Sequence, residues 1–179
     1  MAYARLSTPL APLSSGRRVP IRHLAPGRIA ACPVPEVIYA TPGHRFAAED
    51  RALAQGSGPR WLEDTRVAGK LAEVLQAGEQ ENLYELFAWV IVPNHVHILI
   101  LPISHPQKIT HFVKGRSARE ANLILGRTGP FWQHESYDHF VRSRRELDRV
   151  VNYIEQNPVA AGFASRAEDW RFSSANWTS

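Results

Sequence analysis

Apolar residues recur along this chain with two distinct periods. From Asp64 onward, Val67, Leu71, Val74 and Leu75 follow helical spacing, with Asp64 suited to cap the first turn and Gly78 to end the element. A helix is predicted there. The segment ENLYELFAWVIVPNHVHILILP, from Glu81 to Pro102, is instead β-rich: two runs, Tyr84 to Val92 and His95 to Leu101, flank Pro93-Asn94, a pair suited to the centre of a tight turn. This predicts a β-hairpin. On its second strand the period of two puts His95, His97, Leu99 and Leu101 on one face and Val96, Ile98 and Ile100 on the other.

Helical spacing returns between Lys108 and Ile124, with Ile109, Phe112, Val113, Ala121 and Ile124 as the inner side and Gly126 and Gly129 ending the run. Phe131-Trp132-Gln133 reads as a short aromatic strand leading into Tyr137-Asp138-His139-Phe140. Ser143 and Glu146 have the form of a capping box, opening a third helix with Leu147, Val150, Val151 and Ile154 inward and Pro158 stopping it just after Asn157. Upstream, Val37 to Ala40 is a candidate strand crowded by Pro35 and Pro42. Asp169 to Ala175 reads as a docked loop or turn. The order strand, helix, hairpin, helix, strand, helix predicts an α+β fold, a ferredoxin-like split βαβ sandwich: an antiparallel sheet with helices on one side plus a C-terminal helix.

Length and composition narrow this further. At 179 residues and 20.1 kDa the chain suits one domain, and 44% hydrophobic with 21% charged residues is the makeup of a globular protein. The longest apolar run, Leu86 to Val92, is seven residues, against the roughly 20 that a membrane helix needs. No secretory leader is evident, and the lone Cys32 excludes a disulfide framework, which suits a cytoplasmic location. Charge is unevenly spread. Residues 1–35 carry five arginines and no acid, and residues 108–149 sum to +4, while 36–107 sum to −4. Residues 1–35, rich in Pro, Ala, Ser and Arg, are therefore expected to form a basic extended arm ahead of one domain over 36–179. Two basic regions suit a polyanion-binding surface; a solvated face with an irregular tail accounts for them equally well.

Two histidines separated by one residue on a strand can hold a cation from one face. They also fit polar positions on a wet sheet or satisfied core histidines, and two imidazoles alone do not complete a metal site. Tyr153 and Asn157, four apart, share one face of the third helix at the edge of its apolar stripe. A phenol, with a pKa of about 10, needs assistance to become a nucleophile, but a phenolate can attack a phosphodiester. An amide oxygen is a hard donor acceptable to Mg²⁺ or Mn²⁺. The blander alternatives are a boundary tyrosine with a wet hydroxyl and an asparagine that ends a helix before proline.

A resemblance decides what spacing leaves open. WVIVPNHVHILI (Trp89 to Ile100), GPFWQHESYDHFVR (Gly129 to Arg142) and YIEQNPVAAGF (Tyr153 to Phe163), closing with DWRFSSA, resemble in this order the REP-associated tyrosine transposases, a group of one-tyrosine HUH single-strand DNA transposases. The likeness covers roughly residues 58–176. It implies that His95, His97 and Asn157 are ligands of a divalent metal ion, Mg²⁺ or Mn²⁺, and that Tyr153 on a C-terminal catalytic helix is the nucleophile. The implied reaction is metal-dependent cleavage and rejoining of single-stranded DNA beside palindromic hairpins through a 5′-phosphotyrosine. The implied partner is single-stranded or hairpin DNA, met in the cytoplasm at the nucleoid by a monomer, with a dimer as the other arrangement. Lys114, Arg116, Arg119, Arg142, Arg144, Arg145 and Arg149, with Arg17 and Arg18 of the arm, are the candidate DNA contacts. His139 and Glu155 are candidate general bases on position alone, and Trp132 is expected in the core. One departure stands out: where the family has a robust first strand, CPVPEVIYATPG carries three prolines. The alternative function is a catalytically silent module that binds structured DNA or RNA on the same fold.

Overall fold

A computed structural model describes residues 19–24, 59–133, 137–141 and 143–176, with backbone alone at 19–24 and 137–140. The described residues form four strands and three α-helices in the order β1 (Val19–Leu24), α1 (Thr65–Gln80), β2 (Tyr84–Val92), β3 (His95–Pro102), α2 (Pro106–Ile124), β4 (Tyr137–Val141) and α3 (Arg144–Ala160). The sheet order is β2-β3-β1-β4 and every neighbouring pair is antiparallel. Thus β1 and β2 run the same way with β3 inserted between them, and β3 and β4 do so around β1. This is the split βαβ arrangement, twice over, of the ferredoxin-like sandwich expected from the element order.

The first strand lies upstream of where it is expected. Residues 1–35 are not wholly an arm, because Val19–Leu24 lies inside the sheet. Proline normally excludes a segment from the middle of a sheet, which hid this strand. Here the ladder to β3 begins at Ile21, opposite Leu99, so Pro20 meets only β4, opposite Phe140. The candidate strand Val37 to Ala40 and the rest of CPVPEVIYATPG lie outside the described residues. The fourth strand is Tyr137–Val141 rather than Phe131-Trp132-Gln133. Phe131 and Trp132 are buried instead, and the Trp132 indole N–H donates to Ser117 Oγ at 2.9 Å, as a core tryptophan requires.

Two helices run past the residues expected to stop them. Gly78 does not end α1; a Cβ there would lie 2.6 Å from Tyr84 Cζ, so this glycine permits close approach of a ring whose hydroxyl donates to Leu75 O at 2.7 Å. Helix α3 likewise continues through Pro158 to Ala160. So near a C-terminus proline forfeits a single helical hydrogen bond, and the Pro158 carbonyl accepts the Phe163 N–H at 2.8 Å while Gly162, at φ 76°, turns the chain out.

The sheet is buried on both faces. Trp89, Ile91, Val96, Ile98 and Ile100 pack with Leu71 and Leu75 of α1 and Ile109 and Val113 of α2. On the other face Ala88, Val90, Val92, Leu99 and Val141 pack with Leu147 and Ile154 of α3. This explains the near-continuous apolar reading of the hairpin. The outer edge of β2 is covered by the C-terminal segment: Ile91 N–H donates to Phe172 O and Ser174 N–H to Trp89 O, both at 2.9 Å, and the Trp170 indole donates to Ile91 O.

Candidate active site

His95 and His97 lie on the α3 face of β3, as the alternation predicts, and both are fully buried. The tight turn at Pro93-Asn94 fixes the first of them. Asn94, only 5% exposed, presents its Oδ1 at 2.9 Å from His95 Nδ1. With the amide oxygen assigned to that end, the contact favours the His95 tautomer protonated on Nδ1, whose bare Nε2 turns inward. That Nε2 lies 3.0 Å from His97 Nε2, with the two rings nearly perpendicular at 88°. Asn94 is a site residue the sequence reading passed over as a turn former; the signal was its position next to the first histidine.

Helix α3 brings the other two candidates. Its apolar stripe, buried Leu147 and Ile154 with partly buried Val150 and Val151, packs onto the second face of the sheet, and that docking turns Tyr153 and Asn157 toward β3. The side-chain amide of Asn157, 5% exposed, lies 3.3 Å from His97 Nε2. The Tyr153 ring, half-buried, meets the His97 ring edge to face, centroids 6.0 Å apart. Four side chains from two elements thus meet in one place, His97 and Asn157 being 60 residues apart in sequence.

The donor set suits a divalent cation. Two nitrogens each about 2.1 Å from a shared ion stand about 3.0 Å apart when their bonds meet near a right angle, and that is the His95–His97 spacing. The two ends of the Asn157 amide differ only in which atom is assigned as oxygen, and a half-turn presents the oxygen to the same point. Among the described residues no group of three or more His, Cys, Asp or Glu side chains converges to hold a metal. The fit is therefore two imidazoles and one amide, leaving positions open.

The basic residues divide by layer. Lys114, Arg116 and Arg119 are on α2, across the sheet from the histidines, and two are engaged: Lys114 donates to Gln133 O at 2.9 Å and Arg116 pairs with Glu81 at 3.2 Å. Arg144, Arg145 and Arg149 are exposed on α3 itself, Arg144 paired with Asp148 at 3.0 Å. Arg142, Arg17 and Arg18 lie outside the described residues, as does the side chain of His139. Glu155 is turned to the other flank of α3, where its Oε1 accepts from Ser174 Oγ at 3.0 Å beside a cavity of about 230 Å³ floored by Phe87, Leu147 and Val151. It braces the C-terminal segment and is not beside the phenol.

A doubly split βαβ sandwich with an HxH pair on its third strand and a tyrosine helix packed over them defines a class, and comparison with known proteins agrees. The family model described as transposase IS200 like matches residues 60–157, more than half of the chain. The chain belongs to that family. It is 28% identical over 98 residues to the REP-associated tyrosine transposase of Escherichia coli (strain K12), a match covering 53% of this chain and 56% of that protein. A relative from Haemophilus influenzae is 27% identical over 103 residues, 51% of this chain and 58% of its own. The chain thus spans little more than half the length of the curated relatives it matches. A solved structure of a REP-associated tyrosine transposase bound to a REP hairpin superposes with a TM-score of 0.60, covering 89% of this chain and 78% of that one at 18% identity, a likeness of fold. No helix among the described residues is long and apolar enough to cross a membrane.

Proposed function

We propose that this protein is a REP-type transposase that cleaves and rejoins single-stranded DNA beside palindromic hairpins, with Tyr153 as nucleophile. The observation that carries this reading is the meeting of the Tyr153 ring with His97, 6.0 Å between centroids, beside the converging His95 and His97 Nε2 atoms. The hairpin-bound relative of like fold supports the choice of substrate.

His95, His97 and Asn157 would hold Mg²⁺ or Mn²⁺, which when bound polarises the scissile phosphate and neutralises developing charge. The chain's own residues do the rest. Asn94 keeps His95 in the tautomer whose Nε2 is bare, and α3 presents the phenol. Tyr153 Oη attacks phosphorus, its proton leaves, the P–O3′ bond breaks, and the departing 3′ oxygen takes up a proton. The 5′ phosphate remains on tyrosine as a diester. A diester replaces a diester, so the reverse attack by a 3′-OH rejoins the strand with little free-energy change and no external energy source.

A hairpin oligonucleotide with a single-stranded flank, labelled at its 3′ end, tests this in Mn²⁺. A denaturant-stable labelled adduct is expected, falling at least about 10⁴-fold in Tyr153→Phe and disappearing with EDTA. Tight binding with no adduct in Mg²⁺ or Mn²⁺ would leave only a DNA-binding module.

A further inference from the structure

On α3 the residues Arg145, Arg149, Tyr153 and Asn157 succeed one another at intervals of four. Each step rises about 6 Å and drifts about 40° around the helix, so the row winds gradually from the exposed side toward the sheet. The row runs from two exposed arginines, through the half-buried phenol, to the buried amide beside His97. Among the described residues neither Arg145 nor Arg149 is in an ion pair, whereas Arg144 is held by Asp148 and Arg116 by Glu81. The helix start at Ser143 adds the positive end of the backbone dipole to the same end of the row.

We propose that Arg149 and Arg145 form a phosphate ladder for one DNA strand, receiving the first and second phosphates beyond the scissile one, a helical turn apiece. This rests on Tyr153 being the nucleophile. A four-residue step of about 6 Å is comparable to the separation of successive phosphates along an extended single strand, so the spacing of side chains and of charges is commensurate. The ligand is one strand and not a duplex, because the flanks of α3 differ in sign. Glu146, half-buried in the first turn, lies three residues before Arg149; the other flank, reached three residues after Arg145, presents Asp148, whose carboxylate Arg144 holds, and then Glu155. A second backbone laid there would meet carboxylates.

The test uses the full chain in a Tyr153→Phe background with Mn²⁺, so that binding is read without cleavage. Single neutral methylphosphonates are scanned over the two positions on either side of the scissile phosphate. Arg149→Gln should weaken binding about tenfold and lower the salt slope of log K by about one, with thermal unfolding unchanged. On one side of the scissile bond the adjacent neutral phosphate should weaken the Tyr153→Phe background protein to the same extent, yet add nothing to Arg149→Gln; the next position should pair with Arg145→Gln in the same way. Effects that multiply at every position, or an equal loss in Arg116→Gln on the far layer, would overturn the ladder. The two readings fail separately: a protein with Tyr153 that forms no adduct sinks the nuclease while leaving the coupling intact, and adduct without coupling sinks only the ladder.

Discussion

At the scale of single residues, the proposed chemistry depends on which nitrogen of each imidazole is bare. For His95, the contact of 2.9 Å with Asn94 Oδ1, between buried groups, favours the tautomer that leaves Nε2 bare. Outer partners of metal-binding histidines typically contribute 10–100-fold in affinity. Asn94→Ala should therefore weaken Mn²⁺ binding by about that factor, read by titration calorimetry, with the circular dichroism spectrum unchanged. Unaltered affinity would mean that the turn is all this asparagine supplies. Leaving the Asn94 backbone in place keeps the two outcomes separable.

Packing on the sheet places the helices, and caps define where each begins. Asp64 caps α1: its carboxylate accepts the Arg66 N–H at 2.9 Å and the Arg66 guanidinium at 2.6 Å, which together hold its pKa at about 2. Because the folded value lies below the ordinary one, this contribution to stability is present above the usual carboxylate range and is lost as pH falls toward about 2. Asp64→Asn keeps an amide oxygen for the cap and removes the charge. Its melting temperature should fall below that of the natural sequence at neutral pH and converge with it near pH 2. A constant gap across that range would assign the effect to the cap and not to the ion pair. In α3, Ser143 Oγ accepts the Glu146 N–H at 3.2 Å, the expected cap, and the helix end beyond Pro158 keeps Asn157 inside regular structure and in reach of His97.

For the whole molecule, the two-sided sheet is the organising feature. It puts α1 and α2 behind the site and α3 over it, so the basic residues of α2 and those of α3 face different surroundings. It also leaves β2 as an edge, closed by residues 170–176. Trp170 anchors that cover through its indole bond to Ile91 O and its stacking on Phe163, centroids 5.7 Å apart. Trp170→Ala should cost about 2–3 kcal/mol of unfolding free energy and speed hydrogen exchange at the Trp89 and Ile91 amides, leaving the β3 amides protected. Unchanged exchange at Ile91 would show that Phe172 and Ser174 hold the edge without the tryptophan.

Much of this was legible along the chain, because local periodicity and caps are written in local sequence. Val67 to Leu75, the Ser143–Glu146 cap and the alternation His95, His97, Leu99 against Val96, Ile98, Ile100 all specified elements and the faces they bury. The four-residue interval likewise put Tyr153 and Asn157 on one face of α3. What local pattern could not carry is which elements neighbour one another. The strand at Val19–Leu24 hides in a proline-bearing stretch because its place depends on partners about 75 and 120 residues away. The distance from Tyr153 to His97, the separation of the α2 cations from the site, and the turning of Glu155 toward Ser174 were decided by packing across the sheet. Those are sums over contacts distant in sequence, and no window along the chain contains both partners.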